Sequence, residues 1–236
     1  MEKPLVIAHR GDSSRALENS LEAFRFALSI PVDMIEFDLR KSRDGRLYVM
    51  HDKDTGRTAE KNIDVEQSQS AVIDLVKLRN NEPIPAFADV LLLTAGKVGL
   101  NIEIKSKGAG ALCAAWLADS GYKGRVLISS FQEREVLEAR AVLPQMPIAG
   151  IFDTFVVADL KRYKSMGCAV ISLRKKTVTK ELIAACHEQN VKVYAWTVDE
   201  EAEAERLLGW GVDGMYSNDP RLVKRVVDAH VIAERD

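Results

Sequence analysis

The chain has 236 residues, a formal net charge of -2 and 47% hydrophobic residues, which suits one barrel-sized domain or two small ones. Near-neutrality without blocks of like charge argues against a broad nucleic-acid footprint, and no run approaches the ~18 unbroken apolar residues of a membrane span. The first strand-like run begins at Leu5, leaving no room for a signal peptide. Cys113, Cys168 and Cys186 are widely spaced with no CxxC, so reduced thiols and a cytoplasmic location are expected.

Runs with strand composition recur along the chain. They are Leu5–His9, Met34–Leu39, Gly99–Lys105, Arg125–Ser130, Ile148–Phe152, Ala169–Leu173, Lys192–Val198 and Gly214–Ser217. Between them lie segments of helical period. Leu21, Phe24, Ala27 and Leu28 share one face, with Asn19 or Ser20 as N-cap. Val136, Leu137, Ala139 and Leu143 mark another helix, Val178–Gln189 and Glu200–Leu208 two more. Pro220 opens the last, at a position where a missing N–H costs nothing.

Strands alternating with helices predict a parallel sheet, and at this length a closed (β/α)8 TIM barrel of α/β class. An open doubly wound sheet is the rival, weakened because no GxGxxG follows the first strand. Leu47–His51 follows Met34–Leu39 too closely for a crossover helix. Asp44-Gly45 between them signals a hairpin. A two-residue loop flanked by Arg43 and Arg46 would set His51 opposite Asp38. Residues of about 53–85 are polar and poorly periodic apart from Val72–Leu78. They are expected to form a small insertion after the second barrel strand and its hairpin, over the mouth of a single domain spanning 1–236.

The chemistry-bearing residues end apolar runs, where strand tips of a barrel meet. Glu36 and Asp38 stand at i and i+2 and so share a face, and Glu103 ends the neighbouring stave. Three carboxylates form an oxygen-rich site suited to Mg²⁺ or Ca²⁺. Taken singly, each is an ordinary strand-end acid or a partner of Arg40 or Lys105. His9 and His51 each end a strand beside another polar residue, and two imidazoles at one mouth suit general acid and base. Arg10 and Lys105 offer positive charge to a phosphate, and Lys105 can equally pair with Glu103 or Glu36. Trp196 and Phe131 near strand ends are ordinary core residues that can also wall a pocket.

The ordered set His9-Arg10-Gly11, Leu17-Glu18-Asn19-Ser20, Glu36-x-Asp38, Asp44-Gly45, His51-Asp52, Glu103-x-Lys105, Ser130-Phe131, Trp196-Thr197-Val198 and Gly211-Val212-Asp213-Gly214 resembles the glycerophosphodiester phosphodiesterase family. The likeness runs from Ile7 to Pro220. It implies a (β/α)8 barrel with a short insertion after the second histidine. It also implies a divalent cation on Glu36, Asp38 and Glu103, His9 and His51 as acid and base, and Arg10 and Lys105 on the phosphate. Glu18 and Asn19 support the site from the first loop, and Trp196 joins the substrate-binding set. The implied reaction hydrolyses a small glycerophosphodiester to sn-glycerol 3-phosphate and an alcohol.

The chain departs from the family pattern at Leu17, Ser20, Arg40 and Ser217-Asn218, none of which removes a proposed catalytic group. Arg40 and the Arg174-Lys175-Lys176 run bear on substrate choice or are simply solvated. Three other functions stay open at this stage. One is a phospholipase-like phosphodiesterase acting on intact or lyso-lipids. A second is a non-catalytic phosphate-binding barrel. The third is a phosphate-binding isomerase barrel, for which Gly209–Gly214 is a weak phosphate loop.

Overall fold

A computed structural model describes residues 3–233. Eight parallel strands close on themselves. They are β1 (Leu5–His9), β2 (Met34–Lys41), β4 (Gly99–Ile104), β5 (Val126–Ser130), β6 (Ile148–Phe152), β7 (Cys168–Arg174), β8 (Lys192–Trp196) and β9 (Gly214–Ser217). β1 pairs with both β2 and β9, which closes the cylinder. A ninth strand, β3 (Leu47–Val49), lies antiparallel on the outer end of β2. β1 stops at His9, opposite Glu36, so β2 beyond that point has a free edge for β3 to occupy.

The helices are α1 (Leu21–Leu28), α2 (Ser70–Ile73), α3 (Phe87–Thr94), α4 (Ala109–Ser120), α5 (Glu133–Val142), α6 (Leu160–Ser165), α7 (Lys180–Glu188), α8 (Glu201–Gly209) and α9 (Pro220–Ala233). Ser20 is the N-cap of α1, its Oγ accepting from Ala23 N, and Thr179 caps α7 in the same way. α3 and α4 gave little periodic signal because both are apolar on nearly every side. α4 is instead seated by a close approach to α5. The buried Glu135 carboxylate accepts from the backbone N–H of Gly108 and Gly110, at 2.8 and 2.9 Å, where α4 begins.

Alternation along the staves divides the core. Outward residues such as Ile35, Phe37, Leu100 and Ile102 pack under the helices, with Phe24, Phe37 and Phe87 stacked at ring separations of 5.8 and 6.2 Å. Inward residues fill the barrel: Ile7, Met34, Leu127, Ala149, Val170, Tyr194 and Tyr216. Above them lies a polar layer, in which Asn101 Nδ2 donates to Ser129 Oγ (3.1 Å) and Ser172 Oγ meets Tyr216 OH (3.1 Å). The barrel is therefore solid below and polar toward the C-terminal ends of its strands.

The hairpin corrects the expected register. Leu39 pairs with Val49, Arg40 with Tyr48 and Lys41 with Leu47. The loop holds three residues, Arg43-Asp44-Gly45, closed by Ser42 N to Arg46 O (2.8 Å), with Gly45 at φ +88°. A type I turn followed by a left-handed glycine gives this loop, and it shifts pairing by one residue from a two-residue loop. Met50, not His51, therefore stands opposite Asp38, its N–H donating to Asp38 O (3.0 Å). β3 ends at Val49, and Met50 turns into a small second core with Tyr48, Ala59, Val65, Ile73, Val76, Leu78 and Ile84. Residues 53–85 thus carry apolar side chains that they largely bury, leaving Val72 and Leu75 exposed. All three cysteines are buried and unpaired, and no helix among the described residues is long and apolar enough to cross a membrane.

Candidate active site

A cavity of about 230 Å³ opens at the C-terminal mouth of the barrel, lined by His9, Arg10, Glu36, His51, Glu103, Lys105 and Trp196 among others. Every strand that ends there contributes side chains in register. His9 pairs across with Glu36 on β2, and Asp38 with Glu103 on β4.

Glu36, Asp38 and Glu103 are buried, and each offers a carboxylate oxygen within 4.8 Å of the others. Burial, then Asp38 and Glu103 as like charges, push the Glu36 carboxyl well above its usual range. Glu103 is pushed up to about 7 by burial and then Asp38. Burial would raise Asp38 too, but Arg10 and Lys105 outweigh it and hold that carboxyl low. Glu36 Oε1 and Asp38 Oδ1 are buried without a hydrogen-bond partner. Two orphaned carboxylate oxygens in a cluster of acids are what a hard divalent cation satisfies, so the donor set fits such an ion.

The loop after β1 wraps this cluster. Arg10 sits at φ +58°, a left-handed conformation that costs an L-residue about 1–2 kcal/mol. Its backbone N–H donates to Glu36 Oε2 (2.9 Å), its NH1 to Glu18 Oε1 (2.7 Å), and its Nε lies 3.2 Å from Asp38 Oδ2. Gly11 follows at φ +85°, with Ala23 so close that an added Cβ would approach it to 2.7 Å. Asn19, also left-handed, donates from Nδ2 to Asp38 Oδ2 (2.8 Å). Lys105 Nζ donates to Glu103 Oε1 (2.6 Å) and stands 3.5 Å from Asp38 Oδ1 and 5.7 Å from the Phe131 ring centre. Glu18 and Asn19 therefore hold Arg10 and Asp38 in place.

The two imidazoles have different partners. His9 Nδ1 lies 2.7 Å from Asn218 Oδ1, and the Asn218 amide Nδ2 donates to Asp199 Oδ2 (2.7 Å). An amide oxygen only accepts, so His9 carries its proton on Nδ1 and its Nε2 is left 4.0 Å from Glu36 Oε2. Burial, then the Arg10 charge, lowers His9 to about 4. His51 Nδ1 lies 2.7 Å from Asp52 Oδ1. Burial works against ionised Asp52, but the Arg57 and His51 hydrogen bonds prevail and hold it at about 2. His51 is lowered by burial, with Asp38 opposing and Arg10 adding to the effect.

Three groups escaped the sequence reading. Asn218, marked in the sequence only as a departure from the family pattern, and Asp199 carried no local sign of their reach to His9. Asn101, Ser172 and Tyr216 line the cavity floor from mid-strand positions. Arg57 lies in the insertion and joins the site only through tertiary contacts. Arg40 is not solvated. It donates to His51 O (2.9 Å) and pairs with Glu66 (2.7 Å). Arg174 stacks 5.0 Å over the Trp196 ring, pairs with Asp153 (2.8 Å) and borders the cavity. Phe131 meets Trp196 edge-on at 5.8 Å, so both aromatic residues wall the pocket. His187 is elsewhere, paired with Asp213 at 2.8 Å.

The sequence profile of the glycerophosphoryl diester phosphodiesterase family matches residues 9–222. A glycerophosphodiester phosphodiesterase from Caldanaerobacter subterraneus subsp. tengcongensis is 31% identical over 238 residues, covering 95% of this chain and 98% of the relative. A lysophospholipase D from Mus musculus is 23% identical over 270 residues, covering 94% and 82%. Among solved structures, an Oleispira antarctica phosphodiesterase in complex with the product sn-glycerol-3-phosphate superposes with a TM-score of 0.88 at 23% identity, over 95% of this chain and 97% of that one. The last likeness carries the fold.

Proposed function

This chain belongs to the glycerophosphoryl diester phosphodiesterase family, and from that premise we propose that it hydrolyses small glycerophosphodiesters to sn-glycerol 3-phosphate and an alcohol. The observation that carries the reading is the meeting of two imidazoles, two cations and a three-carboxylate cluster around one cavity.

Glu36, Asp38 and Glu103 would hold a divalent cation, Mg²⁺ or Ca²⁺, which supplies Lewis-acid charge to the phosphoryl oxygens. Arg10 and Lys105 hold the remaining phosphoryl oxygens as charge-assisted donors. His9 is the base. Its Nδ1 proton is committed to Asn218, so Nε2 presents a lone pair that accepts the proton of the nucleophile. His51 is the acid. Its partner Asp52 is a full carboxylate and stabilises an imidazolium, whose Nε2 proton passes to the oxygen of the departing alcohol. At His9, burial and then the neighbouring Arg10 guanidinium disfavour the charged form and outweigh the hydrogen bond to Asn218. The nucleophile is water, or the adjacent glycerol hydroxyl followed by water opening a cyclic phosphate. Trp196 and Phe131 form an aromatic wall of the pocket.

Release of glycerol 3-phosphate from glycerophosphocholine, glycerophosphoethanolamine and a diester lacking the glycerol 2-hydroxyl tests this. The first two are expected within about tenfold of one another, ~1.4 kcal/mol in barrier. The deoxy analogue is expected to be far slower, because a site built for a hydroxyl rejects substrates without it. Equal turnover of all three removes glycerol recognition and the cyclic route together. A lysophosphatidylcholine arm tests the second reading, which the mouse relative favours. The polar mouth supports the soluble diester.

A further inference from the structure

We propose that Arg57, a residue of the insertion, is a positioning residue that couples the two histidine-bearing halves of the site. The proposal rests on the reading above for its kinetic arm only.

Arg57 Nε donates to Asp52 Oδ2 at 2.6 Å, while its NH1 and NH2 donate to Glu18 Oε2 and Oε1, both at 2.7 Å. Each partner is itself a partner of a reacting group. The other oxygen of Asp52 holds His51 Nδ1, and Glu18 Oε1 also receives Arg10 NH1. One planar guanidinium thus spans the His51 arm and the Arg10 loop. Its fork meets Glu18 with two parallel bonds and leaves Nε for Asp52, a division an ammonium cannot make.

The backbone beneath Arg57 is held independently. Thr55 and Thr58 are buried, Thr55 Oγ1 donates to Lys61 O (2.5 Å), Ala59 N donates to Thr55 O (2.8 Å), and Arg79 NH2 donates to Gly56 O (2.9 Å). The turn therefore presents Arg57 from a fixed base. A lone ion pair at 48% side-chain exposure would contribute little. The case here is the shared geometry: three bonds converge on the two carboxylates that aim His51 and Arg10, and small misplacements of reacting groups are costly in rate.

The test uses the full chain with saturating Mg²⁺ and glycerophosphocholine, beside ¹⁵N NMR of the imidazoles without substrate. Arg57→Ala is expected to lower kcat by about 10–100-fold with KM changed far less, the signature of misaimed acid and phosphate groups. Guanidinium ion at tens of millimolar is expected to restore part of that loss, and methylammonium is not. The ¹⁵N shift of His51 Nδ1 is expected to move in Arg57→Ala as its bond to Asp52 loosens, while that of His9 Nδ1, held by Asn218, stays in place. Arg57→Lys keeps the charge without the fork and is expected to lose about tenfold in kcat. It serves if the alanine variant fails to fold. Arg46→Ala removes an ion pair to Asp74 outside this network and is expected to leave kcat unchanged.

Wild-type kcat in Arg57→Ala or Arg57→Lys overturns the proposal, as does an unaltered His51 Nδ1 shift in Arg57→Ala or an equal loss in Arg46→Ala. A wild-type chain inactive on the diester, whose His51 Nδ1 shift still responds to Arg57→Ala, overturns the substrate reading and supports the positioning role.

Discussion

His9 is carried by a stave of the barrel and His51 by chain that lies outside it, and the two settings are stabilised differently. His9 ends β1 between two parallel neighbours, over an interior of close-packed apolar residues, and is steadied by an amide from the end of β9. His51 follows a three-residue strand, is pinned through its backbone by Arg40, and depends on a small second core and a chain of ion pairs. On the proposed assignment, one pocket combines a base held by a neutral amide with an acid held by a carboxylate. The difference also sorts the site into groups that share the fate of the barrel and groups that share the fate of the insertion.

The largest effects should come from the imidazoles themselves. His9→Ala and His51→Ala are each expected to lower kcat by about 10²–10⁴-fold with circular dichroism unchanged. Should either variant keep more than a tenth of wild-type turnover, its proton-transfer role is wrong.

Core truncation separates the two regions. Phe37→Ala beneath the barrel helices is expected to cost about 3–5 kcal/mol of global stability, read from denaturant midpoints. Ile73→Ala, in the insertion's own core, is expected to cost about 2–5 kcal/mol, felt mainly as faster hydrogen exchange within residues 53–85. Uniform exchange acceleration across the barrel in Ile73→Ala would show that the two regions unfold as one.

The carboxylate cluster belongs to the barrel side and should respond to cation and pH together. Glu103 is raised from 4.5 to about 7, chiefly by burial and then by Asp38. A group whose folded pKa is raised contributes stability that is fully present below its unfolded pKa and is lost as pH rises through the folded one. Up to about 3 kcal/mol is therefore lost between pH 4.5 and 7.5 when no cation replaces the proton. Mg²⁺ or Ca²⁺ is expected to raise Tm strongly at pH 8 and weakly at pH 5, and Glu103→Gln to flatten the difference. A cation shift equal at both pH values would separate ion binding from these carboxylates.

The smallest and sharpest test exchanges the two histidine partners. Asn218→Asp places a carboxylate on His9 and is expected to move the acidic limb of the kcat/KM profile upward by about one pH unit. Asp52→Asn is expected to move the basic limb downward by a similar amount, each about 1.4 kcal/mol. A basic limb moved upward by Asn218→Asp and an acidic limb moved downward by Asp52→Asn would exchange the acid and base assignments.

Much of this molecule is legible locally. Staves announce themselves as short apolar runs, and a polar residue closing such a run in a barrel is delivered to the mouth by the direction of the strand. His9, Glu36, Asp38, Glu103 and Lys105 are of this kind, because a period of two and a strand end are properties of a few consecutive residues. Helices α3 and α4 were less legible, since apolar residues such as Leu92 and Trp116 also stand on their exposed faces and blur the stripe. The hairpin register depended on one residue of loop length, where Asp44-Gly45 permits two geometries and packing of Met50 into the insertion selects one. Contacts between distant residues lay wholly beyond local pattern. Asn218 reaches His9 across 209 residues, and Arg57 joins Glu18 to Asp52 from a segment whose composition reads as a polar loop. The arrival of His9, Glu36, Asp38, Glu103 and Lys105 at the mouth is written into their own runs, because strand direction and side-chain alternation are local properties. Only the closed tertiary structure decided how those groups are charged, oriented and paired, because burial and long-range hydrogen bonds exist only once the barrel has closed.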